Sequence, residues 1–192
     1  PRHHNRRSPA ISRDTRDTGK VSSIEENLAK VEERLASALA RSQRKRADIT
    51  LIAVTKTFPA SVTEAAWQAG LREFGENYVQ EFETKSTQLS HLKGARYHPI
   101  GHLQSNKVNK ASPIFDCVQT VDSARLANRL NHSRTESGTP VLDVMVEVKL
   151  SAEESKHGCE PERLSALLDD IRALPRLRLL GLMTIPPFFE DP

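Results

Sequence analysis

Cysteine is scarce in this chain of 192 residues: Cys117 and Cys159 are the two it has. They lie far apart in the sequence and make none of the paired spacings that bind zinc or build a disulfide framework. That fits a reducing compartment, the cytoplasm. No charged start leads into an apolar signal core, and no apolar run approaches the about 20 residues of a membrane helix. No Gly-x-Gly-x-x-Gly follows the first strand-like run and no Walker-type loop occurs, so two common phosphate-cradling signatures are missing. Acidic residues are few at the start. Residues 1–23 carry Arg2, Arg6, Arg7, Arg13, Arg16 and Lys20 against Asp14 and Asp17, so the net charge of +3 belongs to this stretch. The remaining body is close to neutral and shows no general bias toward nucleic acid. With almost no apolar side chains to offset its ordering entropy, the segment 1–22 is expected to be a disordered basic tail. His3-His4 is too short to suggest a metal site.

The remainder has 37% hydrophobic residues across the whole chain to draw on, enough for one sizeable core and one domain. Ser22-Ser23 before Glu25-Glu26 signals a helix start, and Ile24, Leu28, Val31, Leu35 and Leu39 recur at helical spacing. Arg41, Arg44, Lys45 and Arg46 load the expected last turn with cations. Strand and helix patterns then alternate. Strands are expected over 49–56, 72–78, 96–101, 115–121, 141–150 and 177–185, the fifth being the longest. Helices are expected over 61–69, 79–92, 104–111, 123–133 and 161–174. Such alternation predicts right-handed βαβ units and a parallel sheet, apolar on both faces. An open doubly wound sheet and a closed (β/α) barrel both satisfy the pattern. The missing glycine-rich loop favours the barrel, although a barrel has eight units and this chain supplies six.

Polar residues collect at the ends of the expected strands. Lys56 closes the first, Glu76-Asn77 the second, and His98 with Gly101-His102 the third. Asp122-Ser123 follows the fourth, Ser155-Lys156-His157-Gly158 the fifth, and Met183-Thr184 the sixth. In a parallel barrel these ends share one mouth. Each has an ordinary explanation: a helix cap for Asp122-Ser123, turn geometry for Gly75 and Gly101, core packing for His98 and Met183. Lys56 by itself reads as a rim lysine with its stem packed and its ammonium in water. A lysine at a strand end can also form Schiff bases with carbonyl compounds, including pyridoxal phosphate.

Five segments, in order, sharpen this reading. They are Ala53-Val54-Thr55-Lys56-Thr57, Phe74-Gly75-Glu76-Asn77-Tyr78-Val79-Gln80-Glu81, His98-Pro99-Ile100-Gly101-His102-Leu103-Gln104-Ser105-Asn106-Lys107, Ser155-Lys156-His157-Gly158 and Gly181-Leu182-Met183-Thr184-Ile185-Pro186. Together they resemble the YggS/PROSC pyridoxal phosphate homeostasis family over about residues 24–187. The resemblance implies a TIM-barrel-like α/β fold related to the N-terminal domain of alanine racemase, with about six of its eight strand–helix units present. Residues 23–192 would then form an incomplete pyridoxal phosphate-binding barrel domain. By the same resemblance Lys56 holds pyridoxal 5'-phosphate as a Schiff base, Asn77 and His98 line the cofactor mouth, and Met183 lies near the ring.

The family's phosphate-binding segments follow the Gly-Leu-Met segment, so the chain is expected to be C-terminally truncated, with open strand edges. Tyr97 and Pro99 depart from the family pattern, and Pro99 removes a backbone donor inside an expected strand. The function implied is a cytoplasmic, non-catalytic carrier of pyridoxal phosphate. It would exchange the cofactor with free amino acids or apo enzymes and be monomeric at family length. The alternative is a racemase- or decarboxylase-like enzyme, which needs an acid/base on each face of its substrate. Tyr78, Tyr97, His98 and His157 are the residues available for that work. An aldolase-type sugar-phosphate barrel explains Lys56 but leaves the later segments unexplained.

Overall fold

The computed structural model describes residues 23–150 and 157–186. The expected tail, Ser151–Lys156 and the residues after Pro186 lie outside the described residues.

The first element, α1 (Ile24–Arg41), opens with a capping box. The Ser23 hydroxyl accepts from the Glu26 N–H, and the Glu26 carboxylate accepts in return from Ser23 N–H. Its apolar face is only half covered, and none of its residues is fully buried. Of the cations expected in its last turn, Arg41 is in place, while Arg44, Lys45 and Arg46 lie beyond the helix end. Arg46 instead folds back onto Glu32, with Nη2–Oε1 at 2.7 Å.

Six parallel strands then alternate with helices: β1 (Ile52–Val54), α2 (Ala60–Gln68), β2 (Glu73–Glu76), α3 (Val79–Leu89), β3 (Arg96–Pro99), α4 (Val108–Ala111), β4 (Cys117–Val121), α5 (Ala124–Ser137), β5 (Leu142–Glu147), α6 (Leu164–Arg172) and β6 (Leu177–Met183). Short 3-10 turns at Ser105–Lys107 and Pro161–Arg163 replace the first turns of the two longer helices expected there. The longest strand is β6, not β5, because β5 stops at Glu147 and continues only as an isolated bridge from Val148 to Cys159.

The strands pair as two three-stranded sheets, β1-β2-β3 and β4-β5-β6. The seam between them has a cause in the sequence. Arg96 donates to Arg72 O and Ile100 to Glu76 O, so even-numbered residues of β3 bond to β2. Tyr97 and Pro99 therefore face β4. Tyr97 engages Asp116 through both its N–H and its carbonyl, while Pro99 has no N–H to offer, and the ladder lapses. Beyond it Thr120 Oγ1 reaches Gly101 O at 2.9 Å, a side-chain bond across the seam.

Between strands and helices lies the core. Its centre is aromatic: Phe82 stands 4.7 Å from both Tyr97 and Phe115, and Phe74 lies 5.8 Å from Tyr97. Each such pair adds about 0.5–1.5 kcal/mol to plain burial. The inner face does not match the apolar expectation. Glu73, Arg96, His98 and Gln119 line a cavity on that face, and Asp143 is buried against Arg96. Leu180 and Leu182 of β6 and Val54 of β1 are half exposed. Asp143 anchors this interior, receiving Arg178 Nε at 2.6 Å and Arg96 Nη2 at 2.7 Å.

Burial alone would raise the Asp143 carboxyl, but Arg178 and then Arg96 outweigh it and hold it below its ordinary value. A depressed carboxylate contributes stability above its unfolded value and loses it as pH falls through the folded value. Asp143→Asn is therefore expected to lower the melting temperature at pH 7. The gap from the parent should close in acid, and a gap that persists unchanged down to pH 2 would contradict this.

Candidate functional site

The strand ends build a mouth, and its best-defined side is at β1. Lys56 is two residues beyond β1, in an exposed turn rather than in the strand. Thr50 and Ile52 line the interior cavity. Thr55 takes the opposite face and is buried. Its hydroxyl donates to Glu76 Oε1 at 2.7 Å and its carbonyl accepts from Lys85 Nζ at 2.7 Å. Lys85 also pairs with Glu76 Oε1 at 2.7 Å, both side chains being almost wholly buried. On the other side of Lys56, Thr57 adopts φ +67° and donates its N–H to Glu81 Oε1 at 2.7 Å. A non-glycine residue in this region costs on the order of 1–3 kcal/mol and persists only where its surroundings hold it. No described residue bonds to the Lys56 ammonium.

Asn77 follows β2 directly and packs on the end of β3. A Cβ placed on Gly101 would meet Asn77 Oδ1 at 2.1 Å, so glycine is required there by close approach, not merely by a turn. His98 lies deeper. It is 4% exposed, its Nε2 is 2.5 Å from Glu73 Oε2, and its Nδ1 is 3.1 Å from Gln119 Nε2. With both ring nitrogens engaged, it can offer a ligand only its ring unless one bond breaks. Met183 ends β6, its carbonyl accepting from Val148 N–H at 2.8 Å. His98 and Met183 share the wall of an interior cavity of about 410 Å³, together with Cys117 and Met145. Lys56 and Asn77 do not line that cavity; they stand just past the ends of β1 and β2.

Two features define the polar contacts here. The first, the Thr55–Glu76–Lys85 knot, was not anticipated. The signal for it was present: Val79, Phe82, Lys85 and Leu89 fall on one helical face, so Lys85 sits where an apolar residue is expected. The second is a cluster at the ends of β3, β4 and β5, joining His102, Asp122 and His157, which the strand-end pattern expected to share one mouth. The rings of His102 and His157 stack at 3.9 Å, and His102 Nδ1 lies 3.4 Å from Asp122 Oδ2. Glu147 is buried beside them, with Oε2 lacking a partner among the described residues. Ser123 caps α5 as expected. The two tyrosines differ in setting. Tyr97 sits in the aromatic core with its hydroxyl pushed up to about 12 by burial, and Tyr78 caps α3 in solvent. The Cys117 thiol, likewise raised to about 12 chiefly by burial, behaves as core.

An open parallel (β/α) barrel with a lysine at the end of its first strand defines the class of the alanine racemase N-terminal domain. The family model "Alanine racemase, N-terminal domain" matches residues 22–192. The pyridoxal phosphate homeostasis protein of Pseudomonas aeruginosa is 45% identical over 166 residues, covering 86% of this chain and 71% of its own. PipY of Synechococcus elongatus PCC7942, solved with pyridoxal phosphate bound, superposes with a TM-score of 0.71 at 39% identity, over 84% of this chain and 73% of PipY. The alanine racemase of Clostridium difficile 630 superposes with a TM-score of 0.58 at 13% identity, over 79% of this chain and 39% of that enzyme, which shows the fold alone. The chain belongs to the YggS/PROSC family of pyridoxal phosphate homeostasis proteins. No helix among the described residues is long and apolar enough to cross a membrane.

The Glu147 carboxyl is raised, first by burial and then by Asp122, against the opposing pull of His157. A raised acid favours the folded state while protonated and loses that contribution as pH rises from its unfolded value through the folded one. Glu147→Gln is accordingly expected to raise the melting temperature at pH 7 and to leave it unchanged near pH 4. A loss of stability at pH 7 would show that the ionised carboxylate is needed.

Proposed function

We propose that this chain binds pyridoxal 5'-phosphate through Lys56 and serves cofactor homeostasis in the cytoplasm without catalysing turnover. One observation carries the reading: an exposed amine, unpaired among the described residues, at the end of a strand whose inward residues line a cavity. The residues present fit the aldehyde end of the cofactor. At about 410 Å³ the cavity is within the range of small-molecule sites. When bound, the cofactor supplies an aldehyde carbon to which amines add reversibly.

Lys56 provides the first such amine. Asn77, braced on Gly101, shapes the rim, while His98 and Met183 form a wall whose polar atoms are already occupied. The floor arginines are committed as well, since Arg96 and Arg178 both bond Asp143. Carrying needs no further group, because a second amine from a free amino acid or an apo enzyme's lysine can take the cofactor over. A racemase-like role needs an acid/base on each face of its substrate. Of the tyrosines that reading relied on, Tyr97 lies in the aromatic core, and the nitrogens of His98 are engaged. The two buried free thiols suit a reducing cytoplasm.

Incubation with pyridoxal phosphate, borohydride reduction and peptide mapping tests the assignment. The label is expected on Lys56 and is expected to disappear in Lys56→Arg. A label carried instead by Lys107, Lys110 or Lys156 would contradict it.

A further inference from the structure

We infer that Glu81 and Lys85 of α3, with Glu76 of β2, are positioning residues for Lys56, an inference that rests on the proposed role of that lysine. They hold the two residues that flank it. Upstream, every polar group of Thr55 is engaged: its N–H with Gly75 O at 2.9 Å, its hydroxyl with Glu76, its carbonyl with Lys85. Downstream, Glu81 fixes Thr57 by the N–H in a backbone conformation that threonine rarely adopts. Glu81 and Lys85 are four residues apart, on one face of one helix, and both reach the same turn. The rotational freedom left to Lys56 is thereby that of its own side chain.

Stability alone does not account for this arrangement. Glu76 and Lys85 satisfy the buried Thr55 hydroxyl and carbonyl, but valine at 55 with apolar residues at 76 and 85 would fill the same core without a buried ion pair. The Thr57 N–H is in an exposed turn, where water would satisfy it. What Glu76, Lys85 and Glu81 supply, and apolar residues or water would not, is a fixed main chain on both sides of the amine.

Two variants separate geometry from folding: Glu81→Ala, and the triple variant Thr55→Val/Glu76→Leu/Lys85→Met, which exchanges the buried pair and the hydroxyl it satisfies for apolar side chains. Each lysine's modification rate is measured with pyridoxal phosphate plus cyanoborohydride, and again with formaldehyde plus cyanoborohydride, a small carbonyl with no orientational demand. Melting temperature and amide exchange at Thr57 are recorded in parallel.

In the parent, Lys56 is expected to outpace exposed lysines such as Lys30 and Lys93 toward pyridoxal phosphate. Misplacing a reacting group by about 1 Å is enough for large rate losses, so both variants are expected to lose about tenfold of that preference. Their formaldehyde rates and folding should be retained. Thr57 exchange should speed up in Glu81→Ala, which has no acceptor for its N–H, whatever the cofactor does. A parent with no preference at Lys56 would overturn the proposed function and this inference with it. A parent with the preference and variants that keep it would overturn the inference alone, as would unchanged Thr57 exchange.

Discussion

The bonds that Glu76 Oε1 accepts from Thr55 and Lys85 tie three elements at one point, the end of β1, the end of β2 and the middle of α3. They fix the face on which β1 leaves the sheet. Thr55 is thereby drawn toward the helix layer. Lys56 follows it in an exposed turn between two residues whose main chain is held. The knot draws on the same helix face, Val79, Phe82 and Leu89, that builds the aromatic core, so the site and the fold share one scaffold.

The interior follows a different rule. Parallel strands covered on both faces are usually apolar throughout, yet the inner face here carries a balanced set of charges. Glu73, Arg96, Asp143 and Arg178 neutralise one another, and His98 is bound into the same set through Glu73. Charged and polar groups on an inner face must pair with one another or be solvated, and these are paired. The seam between β3 and β4 is a second local effect with a visible origin, one proline facing the strand it cannot bond. Both effects leave strand order and direction intact, and these are what place the site.

Much of this was legible in the sequence. Element order came from the alternation of periodicities, and the two cap signals, Ser23-Glu26 and Ser123, marked helix starts correctly. Lys56 stood out because an amine closing an apolar run is anomalous. What was not legible depended on contacts between residues far apart in the chain. Thr55 with Lys85, Glu73 with His98, and Asp143 with Arg96 are separated by 30, 25 and 47 positions. Strand ends were overextended because apolar runs such as Ile49–Ile52 continue past the point where pairing stops. The role of Lys85 was not legible because its two partners, a carboxylate and a carbonyl, appear only once α3 packs on β2. His98 was expected at the mouth on its position in a motif, and the geometry puts its nitrogens below it, toward Glu73 and Gln119.

The central claim is that one amine, fixed at the end of β1, takes up a vitamin B6 aldehyde. The most direct measurement is a difference-absorbance titration of the chain with pyridoxal phosphate, run beside Lys56→Ala and Lys107→Ala. The account predicts a saturable protein-bound chromophore in the parent and in Lys107→Ala, and none in Lys56→Ala. A chromophore of equal amplitude in Lys56→Ala would contradict it.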